Sequence, residues 1–184
     1  MNLANRLTMF RILLAPLFVA ALLYFSPDRE YLYFIAVSVY LLACTTDGLD
    51  GYLARRMNEK TQLGSYIDPI ADKFLLVSGY LSLSLMPHLP EGMKVPAWVT
   101  LAVISRDIVI LLGAVIIFIA TGQLKARPLF IGKITTVVQM ATLLVSLLAL
   151  PWGFRIWMYF LTVALTALSG ILYVRIGGQM FQNA

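Results

Sequence analysis

Four aspartates carry most of the chemistry open to this sequence. Asp47 and Asp50 are three residues apart, and Asp68 and Asp72 four apart. On a helix either spacing puts both acids of a pair on one face. Gly51 and Ala54 share the Asp47 face at i+4 and i+7, where small residues let a ligand or another backbone come close. Arg55 and Arg56 follow with positive charge. If the two segments run antiparallel, as a short connection favours, all four carboxylates converge. Unpaired anions so placed would repel. Two divalent cations with oxygen ligands would neutralise them, and a donor set without His or Cys suits Mg²⁺ or Mn²⁺. Two such ions suit phosphoryl or phosphatidyl transfer, because they clamp phosphate oxygens, lower the pKa of an attacking hydroxyl and stabilise the leaving group. Arg55 is suited to a bidentate contact with diphosphate oxygens. The carboxylate least committed to metal is a candidate general base.

The elements that must position these residues are set by an unusual composition. Of 184 residues, 60% are hydrophobic and 12% charged, against about 45–50% and about 25% in an average soluble domain. That balance excludes a disordered chain, a coiled coil and an ordinary soluble enzyme. A bilayer core about 30 Å thick takes roughly 17–25 apolar residues per helical span. Six runs qualify: Phe10 to Phe25, Tyr31 to Thr46, Pro69 to Met86, Pro96 to Ala120, Ile131 to Leu150 and Phe154 to Val174. Turn formers separate them, among them Ser26-Pro27-Asp28, Asn58-Glu59-Lys60, Thr121-Gly122 and Pro151-Trp152-Gly153. Arg6 and Arg11 before the first run imitate a signal peptide, but five further runs favour an uncleaved helix. The preceding stretch Asn2 to Thr8 mixes apolar and polar residues and suits the membrane surface. No repeat or low-complexity tract is evident. The expectation is one all-α integral membrane domain over 1–184, with six transmembrane helices after a short amphipathic N-terminal segment.

Charge sets the orientation. With the N-terminus inside, the inner segments hold Arg6, Arg11, Arg55, Arg56, Lys60, Lys73, Lys125, Arg127, Lys133 and Arg175. The outer loops hold Arg29, Lys94 and Arg155, and Arg106 falls within the fourth span. Ten against three predicts cytoplasmic termini, with the aspartate motif on the cytoplasmic side of the membrane. The net charge of +5 then meets anionic membrane phospholipids rather than nucleic acid; no basic stripe with interleaved aromatics lies outside the spans.

Asp47-Gly48-Leu49-Asp50-Gly51-Tyr52-Leu53-Ala54-Arg55, eight further residues, Gly64, Asp68 and Asp72 match all eight fixed positions of D-x2-D-G-x2-A-R-x8-G-x3-D-x3-D. This is the signature of the CDP-alcohol phosphotransferases (CDP-alcohol phosphatidyltransferases), which the chain resembles over its whole length. The resemblance implies a homodimer that takes CDP-diacylglycerol, transfers the phosphatidyl group to a hydroxyl and releases CMP, with two metal ions among the four aspartates. It implies Asp47, Asp50, Asp68 and Asp72 as metal ligands and Asp72 as the base. Asp47, Asp50, Gly51, Ala54, Arg55, Gly64 and Asp68 would form the CDP site, Arg55 on the diphosphate.

Within the family, Asn5 to Ile12, Asp68 to Lys73 and Gly132 to Gln139 resemble both the phosphatidylglycerophosphate synthases and the eukaryotic-type cardiolipin synthases. Ser105-Arg106-Asp107 and Leu124 to Lys133 look closer to the latter. Glycerol 3-phosphate, a small dianion, needs a compact cationic pocket; phosphatidylglycerol, a second lipid, needs a lateral groove. Arg106, Lys125, Arg127 and Lys133 are the candidate acceptor-binding residues for either. Glycerol 3-phosphate is the favoured acceptor, because that activity is the commoner one for bacterial-looking chains of this size.

Other readings of the acids fare worse. A calcium loop would need a different ligand spacing and a Glu at its twelfth position. An ion or proton pathway is the alternative from another class, but such transporters show internal repeats with helices broken near mid-membrane. Arg106 and Asp107 are adjacent on a helix and diverge by about 100°, so each is expected to pair with a neighbouring helix rather than with the other. Lys73 reads as a cation snorkelling to the inner interface, His88 as a solvated loop residue and Cys44 as a small core residue.

Overall fold

Apolar runs in a membrane-like composition leave the backbone no water to bond, and the helix satisfies it internally. The computed structural model describes the backbone of residues 3–57, 62–121 and 130–182, and side chains within 9–46, 73–116, 119 and 130–178. Among these residues every regular element is helical: α1 (Leu3–Leu23), a 3-10 turn (Pro27–Arg29), α2 (Tyr31–Met57), α3 (Gln62–Leu85), α4 (Ala97–Thr121), α5 (Phe130–Leu147) and α6 (Trp152–Gln182). Three stretches, Ala97–Ile116, Phe130–Leu147 and Trp152–Gly178, are long and apolar enough to cross a membrane; Met9–Leu23, Tyr31–Thr46 and Lys73–Leu85 are shorter apolar helical stretches.

The boundaries differ instructively from those that hydropathy predicts. The stretch before Phe10, expected as a separate surface segment, is continuous with the first helix. The second helix runs on past Thr46 to Met57, and the third begins at Gln62 rather than Pro69. Hydropathy ends a span where charges start, whereas helical hydrogen bonding continues wherever the backbone permits it.

The chain forms two compact units. The first comprises 1–95 and 143–149. Here α1 packs against both α2 and α3. Ala15, Phe18 and Leu22 of α1, Ala36, Tyr40 and Ala43 of α2, and Leu75, Tyr80 and Leu83 of α3 form a buried apolar core. The Phe18 and Tyr40 rings tilt together with centroids 5.6 Å apart. Gly79 admits the end of α5: a Cβ there would lie 2.5 Å from Leu143 Cδ2 and 3.3 Å from Phe18. Past Leu147 the chain turns at Ala149, whose φ of 49° lies in the left-handed region at a cost of about 1 kcal/mol for a residue with a Cβ.

The connection after α3 is built into this unit. Leu89, Met93 and Val95 are buried, and Val95 N–H donates to the Leu83 carbonyl at 3.0 Å. His88, expected as a solvated loop residue, is exposed in this connection and donates from Nε2 to the Leu22 carbonyl at 2.8 Å. The end of α1 offers carbonyls with no intrahelical partner, and an imidazole N–H satisfies one of them. Arg11, counted among the inner-segment cations, is 1% exposed.

The second unit comprises 96–142 and 150–184. Here α4 packs against α6, and Trp98 meets Phe160 at 5.5 Å between ring centroids. α5 and α6 are joined by hydrogen bonds rather than by apolar bulk. Thr135 Oγ1 donates within its own helix to the Ile131 carbonyl and lies 3.3 Å from the Leu165 carbonyl across the interface. Gln139 Nε2 donates to Thr166 Oγ1 at 3.0 Å, and the Thr142 and Thr162 hydroxyls meet at 2.7 Å. All five of these residues are buried. Arg155, expected in an outer loop, lies in the first turn of α6, buried beneath solvent with Cζ 5.2 Å from the Trp152 ring.

Candidate active site

Most of the residues singled out by the sequence fall in two parts of the chain. The first is the signature. The last turns of α2 carry Asp47, Asp50, Gly51, Ala54 and Arg55, and the first turns of α3 carry Gly64, Asp68 and Asp72. Each acid pair therefore sits at three- or four-residue spacing in unbroken helix, the register that one face requires. The side chains of these eight residues lie outside the described ones. The chemistry of the donor set fits divalent cations of the hard type: four carboxylates, no sulfur and no imidazole. Among the described residues no group of three or more His, Cys, Asp or Glu comes together.

The second place is a groove of about 540 Å³ between α4 and α6, in the second unit. Ser105, Arg106 and Val109 line it from α4, and Thr166, Gly170 and Arg175 from α6. Small residues on α6, Ala167 and Gly170, leave the space that a larger side chain would fill.

Two arginines line this groove, of which Arg106 is buried and Arg175 exposed. The Arg106 side chain is 6% exposed and that of Asp107 13%. Contrary to the expectation that these neighbours point apart, Nη1 donates to Asp107 Oδ1 at 2.8 Å. The 100° divergence holds for the Cβ directions, but four rotatable bonds let the guanidinium swing back, and a part-buried carboxylate one residue away supplies its counter-charge. Nη2 donates to Ser169 Oγ at 2.9 Å, and Cζ lies 5.9 Å from the centre of the Tyr173 ring. A guanidinium so held can offer a directed N–H to a phosphate or hydroxyl oxygen.

The remaining acceptor candidates are not gathered there. Lys133 is exposed on α5 and is not among the side chains lining the groove; Lys125 and Arg127 lie outside the described residues. Conversely, Ser169, Tyr173 and Arg175 were not singled out as site residues by spacing. The signal available for them was weak: one small polar pair, Ser169-Gly170, interrupting an apolar helix, and one arginine shortly after it.

The profile of the CDP-alcohol phosphatidyltransferase family matches residues 1–168. The chain is 37% identical to the CDP-diacylglycerol--glycerol-3-phosphate 3-phosphatidyltransferase of Pseudomonas fluorescens, over 95% of this chain and 89% of that protein. To the protein of the same name from Escherichia coli (strain K12) it is 33% identical, over 93% and 88%. To the Mycobacterium tuberculosis (strain H37Rv) protein named "Probable phosphatidylglycerophosphate synthase" it is 32% identical, over 94% and 80%. A signature complete at every fixed position, carried in register on two helices of an all-helical apolar chain, agrees with these likenesses. The chain is an enzyme that belongs to the CDP-alcohol phosphatidyltransferase family.

Proposed function

We propose that this chain is a CDP-diacylglycerol--glycerol-3-phosphate 3-phosphatidyltransferase, a phosphatidylglycerophosphate synthase of phospholipid biosynthesis. The observation that carries the reading is the eight-position signature on α2 and α3 in a chain whose relatives, aligned over 93% or more of its length, bear that name. Asp47, Asp50, Asp68 and Asp72 would hold two divalent cations, Mg²⁺ or Mn²⁺. When bound, such ions neutralise the carboxylates and make the diphosphate a better electrophile. Arg55 binds the diphosphate, while Gly51, Ala54 and Gly64 leave room for the cytidine nucleotide, to which Asp47, Asp50 and Asp68 also belong. Asp72 accepts the proton of the glycerol 3-phosphate hydroxyl as its oxygen bonds to the phosphorus nearer the lipid. The bond from that phosphorus to the bridging oxygen breaks, and CMP leaves with the electron pair. Arg106 in the α4–α6 groove binds the acceptor, with Lys125, Arg127 and Lys133 as further candidates.

In the same reading the chain is one membrane domain of six transmembrane helices, acts as a homodimer, and lies in the bacterial inner membrane among anionic lipids. Its termini and site face the cytoplasm. The excess of inner-segment Lys and Arg supports that orientation.

A product assay decides the acceptor. The purified protein is given CDP-diacylglycerol and Mg²⁺, with glycerol 3-phosphate and phosphatidylglycerol offered separately, and CMP release and lipid mass spectra are read. Phosphatidylglycerophosphate from the first acceptor is the expected product. Cardiolipin from the second would replace this reading by the one that Ser105-Arg106-Asp107 resembles. CMP release with neither would move the search to other alcohols.

A further inference from the structure

Arg106 is held by groups of the chain and still has a donor to spare. Nη1 is taken by Asp107 and Nη2 by Ser169, while Tyr173 lies under the guanidinium. The residue is 7% exposed, yet its Nε has no hydrogen-bond partner among the described residues. The side chain lines the α4–α6 groove. Buried N–H groups are nearly always paired, and the side chain that carries this orphan forms part of the groove wall. Asp107 cancels the charge of Arg106, which leaves it a directed donor rather than a source of net positive field.

Direction then depends on what fixes the guanidinium plane. Asp107 is on the same helix and constrains one nitrogen; the second constraint comes from α6, through the Ser169 hydroxyl. α5 contributes clearance. A Cβ at Gly132 would lie 3.2 Å from Arg106 Nη2 and 3.0 Å from the Tyr173 hydroxyl oxygen, so a larger residue there requires the guanidinium or the Tyr173 ring to give by a few tenths of an ångström.

We propose that Ser169 is a positioning residue for the acceptor, with Gly132 the clearance it depends on: together they hold Arg106 in the groove wall, where its guanidinium meets an oxygen of glycerol 3-phosphate. This rests on the reading that the groove takes the acceptor. Ser169 touches no substrate; it acts through Arg106.

Steady-state rates of the purified full chain, each substrate varied in turn, test this with Ser169→Ala, Ser169→Thr, Gly132→Ala and Arg106→Ala. Ser169→Ala is expected to raise KM for glycerol 3-phosphate about fivefold to tenfold, the net worth of one hydrogen bond. KM for CDP-diacylglycerol and kcat should stay within about twofold, because only acceptor binding is touched. Ser169→Thr, which keeps the hydroxyl, should restore the acceptor KM; Gly132→Ala should raise it without altering the hydroxyl. An unchanged acceptor KM in Ser169→Ala overturns the proposal, and so does a Ser169→Thr enzyme as impaired as Ser169→Ala. If Ser169→Ala does not fold, Gly132→Ala decides by the same readout. Should Arg106→Ala raise the acceptor KM while Ser169→Ala and Gly132→Ala do not, the acceptor groove stands and the positioning role falls. Should Arg106→Ala move the CDP-diacylglycerol KM instead, the acceptor reading itself fails.

Discussion

The two compact units are held together by different forces. In the first, α1, α2 and α3 meet through Phe18, Leu22, Tyr40, Leu75 and Tyr80, and Gly79 is the small residue that lets Leu143 in. In the second, α5 and α6 meet through Thr135, Gln139, Thr142, Thr162 and Thr166. Within lipid, apolar contact has little driving force, so shape and hydrogen bonds must do the sorting. The first unit uses shape and should be sensitive to volume. The second uses directed bonds and should be sensitive to the loss of single hydroxyls. Chemistry divides along the same line: the acids of the first unit are read from charge and spacing, whereas the groove of the second depends on how a guanidinium is held.

The largest effect is expected at the signature. Replacing Asp47, Asp50, Asp68 or Asp72 by Asn should lower kcat about a thousandfold or more, the combined scale of metal and acid–base assistance. Thermal unfolding in detergent should be little changed, and near-normal turnover would remove that residue from the site. Next comes Arg55→Lys, which loses the planar fork and should raise KM for CDP-diacylglycerol about tenfold; an unchanged KM argues against the diphosphate contact. Gly79→Ala should destabilise by about 1–2 kcal/mol through overpacking against Leu143. Adding Leu143→Val should recover part of that loss in denaturant titration, and its failure to do so would locate the strain elsewhere. The smallest effect belongs to the hydroxyl pair. Thr142→Val or Thr162→Val alone should lose about 0.5–1 kcal/mol, and the double substitution little more than either single one. Additive losses would show that the two hydroxyls do not act as a pair, and would blur the contrast between the units.

Much of this protein is legible in one dimension. Apolar length located the six α-helices of the described residues, because burying a backbone away from water forces it to bond to itself. The fourth helix, expected over Pro96 to Ala120, occupies Ala97–Thr121. The signature is a property of residue type at fixed spacing, so it identified the family directly. Hydropathy failed where helix and polarity part company, at the charged end of α2 and the start of α3. Loop membership misled at Arg155, since a side chain's surroundings are not set by its neighbours along the chain.

What only the tertiary structure decided is where side chains distant in sequence meet. Arg106 and Ser169 are 63 residues apart, and the bond between their side chains exists because α4 and α6 pack together. The same packing turned Arg106 back onto Asp107, against the divergence of their Cβ atoms, by excluding water and leaving the adjacent carboxylate as the available counter-charge. Residue types and spacing thus determine which chemistry this chain can perform. The direction in which a buried donor points is set by contacts between helices, and sequence spacing does not encode those.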